Sequence, residues 1–286
     1  MSRPRLRSTI QLGSLPIALL SLSLLTLPGC AAVPLEHANS LTSYDGLKSN
    51  NGRLTKASYK VSSGALGAAR TIYVEPTKVS AAAVLSIKNV SDRALVANVI
   101  SRALCIGVSD RFEVVSRKED ADLVVHATIT QIVPTNATIA GLSAATSLGA
   151  SVFSSVPVPR LPMGLGGLSV EAEATMRDGN QAGAMVWAKG ANFVTTSARI
   201  SQIGDAYSLA ASFGNDFSKM LVSGKTPFKG LPKIPSGQRI KSGLGGKPKY
   251  SACEIFGRSP GLKDLAASQV GMPPFWTDKQ HSTGGR

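Results

Sequence analysis

Histidine, cysteine and the aromatic residues are scarce in this chain: three His, three Cys and an aromatic share of 5% in 286 residues. His37, His126 and His281 lie far apart, no pair has the spacing of a metal site, and no His-Glu-x-x-His occurs. A Gly-x-Ser-x-Gly elbow is also missing. Gly243-Leu244-Gly245-Gly246-Lys247 has the look of a phosphate loop, but it lacks the full spacing, follows no strand and is succeeded by Pro248 where Ser or Thr belongs. Glu171 and Glu173 could serve as a carboxylate pair on one strand face. They read more simply as a solvated face, as do His126 and the pair Trp187 and Lys189. These absences leave no catalytic residue, metal ligand or cofactor to name, and the expectation is a protein that is not an enzyme.

Acidic residues are also few, 17 against 31 Lys and Arg, for a net charge of +14. The excess is uneven. From Gly224 to Arg286 eleven Lys or Arg stand against three Asp or Glu, and such an asymmetry points to a tail more than to a property of the fold. Lys225, Lys229, Lys233, Arg239, Lys241, Lys247 and Lys249 recur there among prolines and glycines, with no acidic residue until Glu254. One reading is a solvated linker. The sharper one is an anionic surface, lipid or cell wall, against which each basic residue can contribute ~1 kcal/mol. Nucleic acid is not expected, because few aromatic residues interleave the basic ones.

Long hydrophobic runs are missing except at the start. Arg3, Arg5 and Arg7 precede an apolar run from Leu15 to Leu27, too short for a comfortable membrane span and of the right form for an export signal. Its end, Leu27-Pro28-Gly29-Cys30, resembles a bacterial lipobox, with Pro28 departing from the usual small residue. That resemblance implies cleavage before Cys30, acylation of its sulfur and an anchor in membrane lipid. The alternative is ordinary secretion with cleavage nearby. Residues 1–29 then form the signal, and roughly 257 residues remain, enough for one domain with appendages or two small ones. With Cys30 acylated, Cys105 and Cys253 are left in an oxidising compartment, where an even pair is a candidate disulfide.

Residues 30–66 are polar and show little periodicity, so a tether and a loosely ordered segment are expected. Arg70 to Glu75, Phe112 to Val115, Leu123 to Val133 and Leu168 to Met176 read as strands, the last with a hairpin partner through Ala184, Val186 and Ala188. Ser91 is the expected cap of a helix to about Ile106, and Ser201 to Ser223 is expected as a second helix, capped by Gly224. The fold class is therefore α+β over 67–223: a mainly antiparallel sheet of about five strands, both helices on one face and water on the other, then an irregular basic tail over 224–286. No charged residue lies between Asp122 and Arg160. Within that stretch, 138–159 is an insert rich in Ala, Gly and Ser. It suits a segment buried on the domain's own body, a surface over 138–158 for self-association or membrane contact, or disorder.

Beyond the lipobox, Leu41-Thr42-Ser43-Tyr44-Asp45-Gly46-Leu47, Arg111-Phe112-Glu113-Val114-Val115, Ala121-Asp122-Leu123 and Gly204-Asp205-Ala206 occur in this order. Together they resemble the bacterial lipoprotein family known as domain of unknown function 3313, over roughly Cys30 to Ser223. The resemblance implies an outer-membrane lipoprotein facing the periplasm, with no activity to carry over. The expected function is a binding module for an envelope partner. The alternatives are a subunit of an outer-membrane assembly, or an enzyme acting on envelope substrates.

Overall fold

The structure, a computed structural model, describes residues 33–52, 55–151, 160–161, 163–229 and 234–278. In chain order its elements are β1 (Lys48–Asn51), β2 (Thr55–Val61), α1 (Ser63–Ala68), β3 (Thr71–Val74), β4 (Lys78–Val79), α2 (Ala81–Ser86), α3 (Val90–Val108), β5 (Glu113–Val114), β6 (Leu123–Val133), α4 (Ala137–Ser151), β7 (Gly167–Met176), β8 (Gln181–Gly190), α5 (Gly204–Ser223), α6 (Gly237–Gly243) and α7 (Leu262–Gln269). The fold is α+β, but the expectation of about five mainly antiparallel strands needs correction. The sheet has eight strands in the order β1-β2-β8-β7-β6-β3-β5, with β4 also on β6. It is mixed: β1, β2, β8, β7 and β6 pair antiparallel, and β3, β4 and β5 join in parallel. β1 and β2 lie within the stretch read as loosely ordered. Their sequences, KSNN and TKASYKV, carry too little apolar alternation to announce a strand.

The core lies between the sheet and two helices, α3 and α5. Leu123, Val125, Ile129, Val170 and Met185 share it with Leu95, Ile100, Leu104, Phe213 and Phe217. α3 is capped by Asn89, whose side chain accepts from Asp92 N, rather than by Ser91, and it runs through Gly107 to Val108. α5 begins at Gly204, three residues later than expected. Gly214, which weakens α5 as a sequence, has a packing reason: a Cβ there would come within 2.5 Å of the Ala103 Cβ of α3. Trp187 is fully buried and not a surface residue. Its ring meets Phe213 edge-on, and its Nε1–H donates to Asp216 Oδ2 at 3.0 Å.

Over β7 and β8 the other face of the sheet is not open to water. Residues 33–47 lie across β7 and β8, and Leu41 packs on Ala184 and Val186. Glu171 and Glu173, expected to be solvated, are 0% and 2% exposed. Glu171 accepts from Ala38 N, Ser40 N and Oγ, and Tyr44 OH, while Glu173 accepts from Thr42 N and Oγ1 and from Gln181 Nε2. The segment read as a tether is therefore bound through buried carboxylates, whose lone pairs find donors that offset their desolvation.

The tail is not irregular throughout, since α6 and α7 form within it. Cys105 near the end of α3 is bonded to Cys253, with Cα atoms 5.7 Å apart, which pins the tail to the body. The other resembling motifs also have local reasons. Asp122 Oδ2 accepts from Arg70 N at 2.9 Å and Thr71 N at 3.0 Å, tying the start of β6 to that of β3. Asp205 is fully buried in the first turn of α5, where it accepts from Gly166 N at 2.7 Å and pairs with Arg160.

Candidate functional site

Two of the surface recesses that gather polar side chains are the roomiest, at more than twice the volume of a third beside Lys189 and Thr195. The first is a cavity of about 520 Å³ between the outer faces of α3 and α5 and the C-terminal segment. Its apolar wall includes Val99, Ile106, Ile240, Leu244 and Leu265. Its polar groups are engaged with one another. Arg102 forms a two-pronged pair with Asp278, whose Oδ2 also accepts from Tyr207 OH at 2.8 Å. Arg199 forms a second such pair with Asp264, at 3.0 and 2.6 Å, and lies 5.2 Å over the Tyr207 ring. Burial, then the negative charges of Asp278 and Asp264, push the Tyr207 hydroxyl far above its ordinary range, so it stays protonated and remains a donor. These pairs hold the C-terminal segment against α3 and α5.

The second feature is a depression of about 540 Å³ at the far end of the β1–β2 hairpin, lined by Gly46, Lys48, Tyr59, Lys60, Val61, Lys225 and Thr226. Three lysines converge there without a carboxylate among the lining residues. Lys48 pairs across the ladder with Tyr59, Lys60 is the next residue on β2, and Lys225 follows the C-terminus of α5. Phe228 stacks edge-on against Tyr59 at 5.7 Å, which brings the start of the tail to this hairpin. Three lysines lining one depression suit phosphate or carboxylate groups of a ligand.

The basic residues singled out from sequence do not act as one group. Lys225 lines the depression, Lys229, Lys241 and Lys247 are exposed, and Lys233 lies outside the described residues. Arg239 is committed to the body, donating to Asn215 Oδ1 at 2.6 Å and to Asp110. Lys249 donates to Ser109 O at 3.0 Å and sits over the Tyr250 ring. Cys30 lies outside the described residues. So does 152–159 of the insert, whose earlier part is α4. Lys48 and Lys60 were not legible as site residues, because only the hairpin and the end of α5 bring them beside Lys225. His126 is half-buried, with Nδ1 2.7 Å from Glu75 Oε2. Burial raises the Glu75 carboxyl, but hydrogen bonds and charge from Lys118 and His126 outweigh it and hold the group below the ordinary range. Among the described residues no cluster of His, Cys, Asp and Glu could hold a metal ion.

No curated protein matches the chain. Among solved structures, a dodecamer of PelC from Paraburkholderia phytofirmans is 8% identical, with a TM-score of 0.36, covering 59% of this chain and 98% of that one. A dodecamer of a PelC variant from the same organism, with methionine in place of one leucine, gives the same values. The family model "Protein of unknown function (DUF3313)" matches residues 36–217, a span that runs from the segment clamped by Glu171 to the last turns of α5. The chain belongs to the DUF3313 family.

Proposed function

We propose that this protein is a lipoprotein acylated at Cys30, facing the periplasm from the outer membrane, and that it binds anionic envelope material without catalysing a reaction. The observation that carries the binding reading is the convergence of Lys48, Lys60 and Lys225 in one depression with no acidic residue lining it. Lys229, Lys241 and Lys247 extend the exposed basic surface along the tail. Each lysine held near an anionic surface contributes ~1 kcal/mol within a Debye length, so these six together reach roughly 6 kcal/mol, equivalent to binding at roughly tens of micromolar without a shaped pocket. The lipobox supports the anchor. The buried Cys105–Cys253 bridge fits an exported chain, since such bonds persist in oxidising compartments.

The test is co-sedimentation of the protein with purified cell wall. Binding should fall steeply as salt rises from ~50 to ~500 mM, a range over which screening shortens severalfold. The triple variant Lys48→Glu, Lys60→Glu, Lys225→Glu should lose most of it. Binding that is unchanged in this variant, or indifferent to salt, rejects the reading.

A further inference from the structure

Val33 is buried against Gly167: a Cβ at Gly167 would come within 2.1 Å of Val33 Cγ2, so only glycine lets the chain cross there. Gly167 opens β7 and pairs with Gly190, the last residue of β8. From Val33 the chain follows β7 toward its other end, past Ser169, Glu171 and Glu173 in turn. Cys30 stands three residues before Val33, and three residues span at most ~11 Å when fully extended. An acyl group on Cys30 is thus leashed to the end of the sheet that carries Gly167 and Gly190.

That end differs chemically from the rest of the molecule. β6 runs out there into α4, residues 160–166 lead into β7, and residues 191–203 lead from β8 to α5. Backbone hydrogen bonds join the three: Asn136 N to Gly164 O at 2.9 Å, Arg160 N to Phe193 O at 3.0 Å, and Thr135 N to Gln202 O at 2.8 Å. Among the described residues of 134–166 and 190–203 the only charged ones are Arg160 and Arg199, and Lys189 precedes them at the end of β8, beside Thr195 and Thr196. Both arginines are buried in ion pairs, with Asp205 and Asp264. Designed soluble surfaces carry roughly a quarter to a third charged residues, and here the described residues of these segments expose none. They expose instead Leu142, Met163, Val194 and Ile200, between 48% and 70% accessible. Ile200 lies against Gly141 of α4, and its N–H donates to Gly271 O, which brings the exposed Val270 and Met272 to the same side. The opposite end carries Arg177 and Asp178 in the β7–β8 turn, Lys118 and Asp120 before β6, and the basic depression.

We infer that this apolar end is a membrane-seating surface, pressed against the phospholipid leaflet that receives the Cys30 acyl chains. The inference rests on the anchor reading above. A leash of three residues gives this surface a high effective concentration at the bilayer. Its apolar side chains gain by leaving water, and the half-exposed Lys189, which lines a recess with Thr195, Thr196 and Ser197, is a cation suited to the anionic head groups. Seated this way, the molecule turns Lys48, Lys60 and Lys225 away from its own membrane, toward the cell wall.

The experiment uses the full-length acylated protein in vesicles of phosphatidylethanolamine and phosphatidylglycerol, with spin labels on Val194→Cys, Ile200→Cys or Asn180→Cys. Labels at 194 and 200 should collide several-fold more with oxygen, which concentrates in lipid, than with a water-soluble nickel chelate, relative to the label at 180. In the soluble Cys30→Ala form without vesicles, all three should meet the chelate freely. If the wild type floats with the vesicles while labels at 194 and 200 remain as wet as the one at 180, the seating is wrong and the anchor stands. If labels at 194 and 200 are shielded from both probes with and without lipid, the surface joins two copies of the chain and the inference falls. A wild type that fails to float refutes the anchor, and the seating with it.

Discussion

The hydroxyl of Tyr44 donates to Glu171 Oε1 at 2.8 Å, joining the N-terminal segment to the middle of the sheet across 127 residues. Glu171 lies in β7 opposite Val186 and Glu173 opposite Ala184, so the two carboxylates form a stripe along which the segment is laid. The contact makes the N-terminal residues part of the folded body, and it fixes where the chain leading to Cys30 leaves that body.

Glu171→Ala removes the acceptor for the N–H groups of Ala38 and Ser40 and for the hydroxyls of Ser40 and Tyr44. With hydrogen bonds to a charged group at ~1.5–3 kcal/mol each, offset where the released segment regains water, the expected loss is about 3 kcal/mol. Urea unfolding measures it. Hydrogen exchange should show residues 36–47 released, with α3 and α5 still protected.

The Tyr44 hydroxyl is pushed up to about 12 by burial first, then by the hydrogen bond and charge of Glu171. The folded state thus favours the neutral phenol. Its contribution is complete below the ordinary tyrosine value of 10.0 and is lost as pH rises through about 12. The stability difference between wild type and Tyr44→Phe should be constant from neutral pH to the ordinary value, then shrink above it. Denaturant titrations at a series of pH values test this, and a difference that grows with pH contradicts it.

Asp278 is the counter-charge of the buried Arg102 and the acceptor of Tyr207 OH. Asp278→Ala leaves the guanidinium buried and unpaired, which costs about 3–5 kcal/mol. Tyr207→Phe loses one hydrogen bond to a charged acceptor, about 1.5–3 kcal/mol. If the two losses add independently in the double variant, the two residues do not share one network.

Replacing Cys105 and Cys253 by serine opens a loop spanning 148 residues. The chain-entropy model sets the loss at ~4–5 kcal/mol, and practice usually gives less. The expected outcome is a lower melting temperature, with exchange protection lost first over 234–278. Non-reducing mass analysis of the wild type should find no free thiol at either position.

Legibility of the fold followed local signal. β6, with an apolar face alternating from Leu123 to Ile129, has the predicted bounds, and β7 differs by a single residue. β1, β2 and β4 escaped because they are polar or two residues long and are strands only by pairing. The alternation of β7 pointed Glu171 and Glu173 to the correct face, but nothing local shows that Ser40, Thr42 and Tyr44 return to cover it from more than a hundred residues away. The candidate site was partly legible for the same reason. Lys225 stood out in a basic run, whereas Lys48 and Lys60 belong to an unremarkable polar stretch until the hairpin folds onto the end of α5. α6 and α7 were hidden by the proline and glycine content around them, and it is the Cys105–Cys253 bridge, with the Asp264 and Asp278 pairs, that holds them.

The proposed anchor at Cys30 sets the orientation inferred for the molecule, and mass spectrometry of the N-terminal peptide from membrane-extracted protein tests it most directly. The predicted result is a peptide beginning at Cys30 with acyl chains attached, and a Cys30→Ala protein released from the outer membrane by a salt wash. An unmodified Cys30, or a Cys30→Ala protein that stays with the outer membrane after the wash, contradicts it.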